Sequence, residues 1–434
     1  MVIRSSMIRS NMSRTGVLVC ALLGAAIAPA QMPDAYRHPI GLFADMAADT
    51  VTEDLFNIHA PSPGWRFEAT EPVPDADIFL DCRALACADL DDDGWVDAVL
   101  AGGAEPADPP SRLLWGRPDG TFELAEPSSV PPHMHDVTLA DVDGDGRTDL
   151  VVLVASGGRR PQVHGDTARL PRLALTLLRN EGGRRFARVP LGVDAWHFAL
   201  ADLDGDGWLD LAATVQSKDR GPATELALLR GGPEGFATPR LVALPGVWRR
   251  PFVGHLKVSG PRPGELLVWQ SSTLDIDRTD PHVLRQPFGT PAWRVADLPR
   301  DDTSPCLALG DADADGRADL FRGSNDYSGG RNRLYLDVAS GDWRDQGRHT
   351  GLWGGYTYTT CAAWGDADND GLADLWQCRI YNAGRATPSQ LYRNRGDTTF
   401  VNATATLSRP ALPSSQRAAW LDADRDGRLD LLAT

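Results

Sequence analysis

Asp141-Val142-Asp143-Gly144-Asp145-Gly146-Arg147-Thr148-Asp149, followed by the apolar Leu150-Val151-Val152-Leu153, is the stretch that decides the fold. Its pattern, Asp-x-Asp-x-Asp-Gly-x-x-Asp, recurs without a mismatch in five other places. These are Asp89, Asp91, Asp93, Gly94, Asp97; Asp202, Asp204, Asp206, Gly207, Asp210; and Asp311, Asp313, Asp315, Gly316, Asp319. The remaining two are Asp366, Asp368, Asp370, Gly371, Asp374 and Asp422, Asp424, Asp426, Gly427, Asp430. The first Asp residues stand 52, 61, 109, 55 and 56 residues apart, and the long gap is two periods. A copy without ligands is therefore expected near residue 256, where Phe252 to Leu267 has strand-like flanks and no Asp. The chain reads as seven repeats of one supersecondary unit.

The flanks read as strands. Two residues before each first Asp stand Cys87, Leu139, Leu200, Leu309, Trp364 and Trp420, and two further upstream Leu85, Val137, Phe198, Leu307, Ala362 and Ala418. Between them lie only small residues: Ala86, Thr138, Ala199, Ala308, Ala363 and Ala419. Alternation with period two means a strand, and a face of small residues suits a place where sheets converge. Each Asp loop thus joins two antiparallel strands. About halfway to the next repeat comes an apolar pair, a turn and an aromatic, as in Leu113-Leu114 to Phe122, Leu177-Leu178 to Phe186 and Leu391-Tyr392 to Phe400. Two hairpins per repeat give four strands, and radial repetition of such sheets is a β-propeller. The expectation is an all-β, seven-bladed propeller of four-stranded antiparallel blades. After the last Asp loop only Leu431-Leu432-Ala433-Thr434 remains, while Leu55-Phe56 to Phe67 is a spare hairpin ahead of the first loop. The last blade is expected to be closed by N- and C-terminal strands, over a single domain of residues 45–434 with a lead of residues 31–44. Such closure leaves no free sheet edge.

These residues resemble the FG-GAP/VCBS repeat family, whose propeller repeats also build the integrin α-subunit head. Trp364-Gly365-Asp366-Ala367-Asp368-Asn369-Asp370-Gly371 looks most like the family pattern. The resemblance spans the chain after its first residues and implies that each Asp loop joins the two innermost strands of a blade and binds calcium. The fourth repeat departs from it.

The chemistry of the loops points the same way. Calcium takes six to eight hard oxygens in flexible geometry. Carboxylates at loop positions 1, 3 and 5 can converge when Gly at 6 allows a sharp turn. Position 7 can give a backbone carbonyl, which suits the variety of Trp95, Arg147, Trp208, Arg317, Leu372 and Arg428. Asp at position 9 can close the site. One such loop could be a solvated Asp-Gly turn. Six in register, each with four like charges, call for a cation. Magnesium keeps more waters and uses fewer carboxylates, and EF-hand loops are flanked by helices and close with Glu at position 12. About six structural Ca²⁺ are the expectation.

The chain has 434 residues, 43 basic and 59 acidic, for a net charge of −16. That balance argues against nucleic acid as a partner, since phosphate binding needs clustered cations. No apolar run is long enough to span a membrane as a helix. Arg4, Arg9 and Arg14, the apolar Gly16 to Ile27, and Ala28-Pro29-Ala30 follow the order of a signal peptide over residues 1–30. This predicts a secreted, periplasmic or cell-surface protein. Beyond it lie Cys82, Cys87, Cys306, Cys361 and Cys378, an odd number. Cys361 and Cys378 flank one expected hairpin and are the best candidate pair; buried reduced thiols are the equal alternative.

Residues ahead of each inner strand, opposite the Asp loops, should surround one mouth of a central channel. They include His133, His135, Trp196, His197, Arg249, Arg250, Tyr356, Tyr358 and Arg417. Aromatics beside Arg and His suit a protein or carbohydrate ligand; ordinary loop polars and packing between blades are the bland alternative. The favoured reading is a non-catalytic binding module. The alternative is a polysaccharide lyase or hydrolase, with His135 or Tyr358 as base and Arg249 neutralising charge. No catalytic pair has diagnostic spacing, and no catalytic residue is assigned.

Overall fold

The structure, a computed structural model, describes residues 2–7, 65–70, 83–102, 110–156, 172–215, 223–248, 265–268, 282–295, 306–323, 332–337, 344–346, 349–352, 358–380, 388–404, 415 and 417–434. Every element among them is a β-strand, and none is a helix long and apolar enough to cross a membrane. In chain order, β1 (Val2–Met7) and β2 (Trp65–Thr70) pair with each other and complete a sheet described last. The first Asp-loop sheet is β3 (Ala84–Ala88), β4 (Asp97–Ala101), β5 (Arg112–Gly116) and β6 (Phe122–Leu124), antiparallel and in sequence order. Next come β7 (Met134–Ala140), β8 (Asp149–Ser156), β9 (Arg172–Asn180) and β10 (Phe186–Ala201).

The strand β10 has two roles. Its first half pairs with β9 from Phe186 to Asp194, and its second half pairs with β11 (Asp210–Val215) from Ala195 to Ala201. It closes one repeat and opens the next with no intervening loop, its register shifting at the crossover, where Gly192 stands at φ 73°. With β12 (Ala223–Leu229) and β13 (Arg240–Trp248) the two repeats therefore form one seven-stranded antiparallel sheet. The repeat without an Asp loop follows as β14 (Glu265–Val268), β15 (His282–Arg285) and β16 (Ala292–Val295). Of the stretch expected to be degenerate, residues 265–267 fall in β14 and the rest lies outside the described residues.

The next sheets are β17 (Cys306–Gly310), β18 (Asp319–Gly323), β19 (Arg333–Leu336), β20 (Arg344–Asp345), then β21 (Tyr358–Gly365), β22 (Asp374–Ile380), β23 (Gln390–Asn394), β24 (Phe400–Asn402). Last come β25 (Ala418–Leu421) and β26 (Asp430–Ala433), whose outer edge is filled by β1 and then β2. The two ends of the chain do share one sheet. The strand beside β26 is Val2–Met7, through Val2 opposite Leu432 and Ile3 opposite Leu431. That position was expected for the segment around Leu55-Phe56, which lies outside the described residues. An open strand edge takes whichever extended segment reaches it, because its N–H and C=O groups need partners.

The innermost strands pack side by side in the order β17, β21, β25, β3, β7, β10, so the last sheet of the chain lies against the first. The small residues predicted on these strands receive side chains from the next sheet. Trp364 donates its indole N–H to the Ala308 carbonyl at 3.3 Å, and Trp420 donates to Ala363 at 3.1 Å. Each indole lies flat over the glycine that ends the preceding strand. A Cβ on Gly310 would come within 2.4 Å of Trp364, and one on Gly365 within 2.6 Å of Trp420. Where the incoming residue is Leu139 or Leu200, the matching position carries Ala88 or Ala140. Across the seam between chain ends the order reverses: Leu421 meets the smaller Cys87 in one apolar cluster with Leu432, Leu100 and Leu114.

Candidate metal centres and the opposite strand ends

Each Asp loop has the same internal wiring. The carboxylate at position 1 accepts from the N–H of the position 6 glycine: Gly94 at 2.8 Å, Gly146 at 2.9 Å, Gly207 at 3.1 Å, Gly316 at 2.9 Å, Gly371 at 2.8 Å and Gly427 at 3.0 Å. These glycines sit at φ between 80° and 92°, a region that side chains disfavour. The position 5 carboxylate accepts from the N–H of position 7, at 2.8 Å from Trp95 and 3.0 Å from Leu372. The carbonyl groups of the position 7 residues are the oxygens that sequence reasoning offered to a cation; their N–H groups thus hold the turn.

Position 9 does more than the sequence reading gave it. Asp97, Asp149, Asp210, Asp319, Asp374 and Asp430 are all buried. One oxygen of each accepts from the position 2 backbone: Leu90 at 2.7 Å, Val142 at 3.2 Å, Leu203 at 2.8 Å, Ala312 at 2.7 Å, Ala367 at 3.0 Å and Ala423 at 3.0 Å. In five loops the other oxygen accepts from the end of the third strand: Gly116, Asn180, Gly231, Asp337 and Asn394, at 2.7 to 2.9 Å. Position 9 therefore staples the loop to the outer hairpin. Asn180 and Asn394 extend the staple to the neighbouring sheet, donating to the carbonyls of Leu90 at 2.7 Å and Ala312 at 2.8 Å.

A cation fits what remains. Ligand oxygens of Asp89, Asp91 and Asp97 lie within 4.8 Å of one another, as do those of Asp141, Asp143 and Asp149, and of Asp366, Asp368 and Asp374. The same holds for Asp202, Asp204 and Asp206, and for Asp311, Asp313 and Asp315. Asp89 Oδ1, Asp143 Oδ1, Asp313 Oδ1 and Asp368 Oδ1 are buried without a hydrogen-bond donor. Buried acceptors of that kind are costly unless something positive meets them. Burial also pushes the position 9 carboxyls up, against the pull of their backbone donors: Asp97 to about 7, Asp149, Asp210 and Asp319 to about 6, and Asp374 to about 8. The nearby position 3 and 5 carboxylates add to the rise. Several position 3 carboxylates also meet an Arg. Asp204 lies 2.7 Å from Arg230, Asp368 2.5 Å from Arg393, Asp143 3.4 Å from Arg179 and Asp91 2.6 Å from Arg184 of the next sheet.

The opposite ends of the inner strands carry the other candidates. His135 on β7 and His197 on β10 face each other edge to face, with ring centroids 6.4 Å apart. His135 is half-buried. Burial, then the charges of His197, Arg83 and Arg417, lower its pKa to about 3. Arg417 bridges three sheets: Nε donates to the Arg83 carbonyl at 2.5 Å, and a terminal nitrogen to the Thr360 carbonyl at 3.4 Å. Trp196 is buried in the core between sheets. His133 is half-buried beside β7, with its carbonyl bonded to Ala155. Tyr358 begins β21. Arg249, Arg250 and Tyr356 lie outside the described residues. Arg83 was missed by the sequence reading, although it precedes its Asp loop by the same interval as His135. Cys361 and Cys378 are directly opposite on β21 and β22 and are not bonded to each other.

The described residues thus form repeated antiparallel β-sheets whose inner hairpins end in acidic loops. Residues 89–152 match the family model of the FG-GAP-like repeat, and the chain carries that repeat. No curated protein matches it. Among solved structures, it is similar to an Agrocybe aegerita lectin that recognises non-reducing terminal N-acetylglucosamine, at 17% identity and a TM-score of 0.45, over 74% of this chain and 79% of that one. It is also similar to BBS1N in complex with ARL6DN, at 13% identity and a TM-score of 0.37, over 71% of this chain and 91% of that one.

Proposed function

We propose that the chain is a secreted, calcium-stabilised, seven-bladed β-propeller that acts as a non-catalytic binding module for a protein or a glycan. The observation that carries the calcium reading is the set of donorless buried carboxylate oxygens at Asp89, Asp143, Asp313 and Asp368. In the Asp loops the position 1, 3 and 5 side chains and the position 7 carbonyls would hold the ion, with position 9 closing the site. Bound there, calcium supplies charge compensation and no chemistry of its own. The ring is supported by the packing of β25 against β3, and by six Asp-loop hairpins built on one plan with a three-stranded sheet between two of them.

Binding is favoured over catalysis because His135 is a weak base. A general base works best with a pKa near the working pH, and His135 is held near 3. Secretion rests on the signal read over residues 1–30. Cleavage after Ala30 would remove Val2–Met7 and hand the β26 edge to another strand, which intact mass measurement of the exported protein will detect.

The deciding experiment is thermal unfolding with and without chelator, alongside metal analysis of the purified protein. A fall in melting temperature on chelation, reversed by Ca²⁺, with about six ions bound, is the expected result. An unchanged melting temperature sinks structural calcium.

A further inference from the structure

We propose that the strand ends opposite the Asp loops form an oxyanion site: Arg83 and Arg417, flanked by His135 and His197, hold a carboxylate or sulfate group. This deepens the binding-module reading and rests on it. The four residues come from consecutive inner strands. Arg417 precedes β25, Arg83 precedes β3, His135 lies on β7 and His197 on β10, and each stands five or six residues ahead of its Asp loop. Those strands pack in that order, so the side chains share one end of the assembly.

Charge and geometry both favour an anion. The chain as a whole carries −16, with its carboxylates concentrated in the loops at the far end. The two guanidinium groups of Arg83 and Arg417 are therefore a local reversal of sign, and an anion would be steered to them. Two acids near the site among the described residues have partners. Asp136 accepts from the Val137 N–H at 2.9 Å, and Asp194 lies 3.4 Å from Arg172. Arg417 is fixed by the Arg83 and Thr360 carbonyls, which sets the plane of its fork. Arg83 gives its carbonyl to Arg417 while its side chain is exposed. His135 Nδ1 is buried with no hydrogen-bond partner among the described residues. A fixed Arg fork beside a second, exposed Arg matches the two-oxygen edge of a carboxylate or sulfate.

The test is calorimetric titration of the full, calcium-supplied protein with three probes: sodium sulfate, trigalacturonate and neutral galactotriose. Trigalacturonate or sulfate should bind and galactotriose should not. Equal affinity per anionic group for sulfate and the acidic sugar would identify a free anion as sufficient; preference for trigalacturonate would identify an acidic glycan. Arg83→Gln, which leaves the carbonyl contact in place, should weaken binding at least tenfold, and Arg83→Lys should retain most of it. Arg417→Gln should act alike, with circular dichroism checking its fold; Arg83→Gln carries the decision if that variant unfolds. Binding of neither anion, or equal anion binding by the wild type and Arg83→Gln, overturns the proposal. Loss of the chelator effect with anion affinity intact would instead remove the calcium reading and spare this one.

Discussion

At the scale of single residues, the Asp loop turns out to be two devices in nine positions. The first three acidic positions cluster where a cation could be held, and the fourth acid, which joins that cluster in three of the loops, is also a staple. Truncating that staple should cost more than removing a ligand. Asp97→Ala leaves the Leu90 and Gly116 N–H groups, each now donating at 2.7 Å, without acceptors. An orphaned buried donor costs about 1–3 kcal/mol, so urea unfolding should register a loss of roughly 2–5 kcal/mol, even in chelator. A second residue-scale feature is the left-handed backbone at position 4, seen at Asp92, Ala314, Asn369 and Arg425 and at Gly144 and Gly205. Alanine is strained there, at φ 59°. Ala314→Gly should raise stability by about 1 kcal/mol in the same assay. The carboxylate pattern was plain in the sequence. The staple was not, because a buried Asp and a ligand Asp share one letter. Position 4 could have been found: Gly, Gly and Asn among six occupants mark a left-handed turn.

At the scale of elements, neighbouring sheets are matched by size. Gly receives Trp at two junctions, Ala precedes Leu at two others, and Leu421 meets Cys87 at the seam. Gly365→Ala puts a Cβ within 2.6 Å of Trp420 and should destabilise by about 1–3 kcal/mol. Adding Trp420→Leu rebuilds the pairing found between Ala88 and Leu139. The double variant should then lose less than the sum of the two singles, a coupling that a double-mutant cycle measures. Alternation with period two made the strands legible, and the row of small residues was read rightly as a place of convergence. Which side chain fills the space was hidden, since the partner lies a whole repeat away.

At the scale of the molecule, the acid loops tie stability to pH. Asp97, Asp149, Asp210, Asp319 and Asp374 at position 9 have pKa values raised by burial to between about 6 and about 8. A raised folded-state pKa means that the folded, cation-free protein holds protons that the unfolded chain has released. Their stabilising contribution is complete below about 4, the unfolded value, and is lost as pH climbs through 6 to 8. Melting temperature in chelator should therefore fall across that window. With Ca²⁺ the slope should flatten or reverse, because the ion competes with protons for the same loops. A chelated protein that gains stability from pH 5 to pH 8 would falsify this account. That both ends of the chain share one sheet was legible in the sequence; the identity of the strand beside β26 was not, since an edge specifies a partner by reach more than by side chain.

The uninterrupted β10 joins two repeats covalently and through hydrogen bonds on both halves. Where β6 passes to β7 through residues 125–133, here no loop intervenes, although Gly192 at φ 73° and shifts of register mark the crossover. Amide hydrogen exchange should report β7 to β13 opening as one cooperative block, with the remaining sheets protected to separate degrees. A repeat protein assembled from like parts would then unravel unevenly, its largest cooperative block set by the sixteen residues of one shared strand.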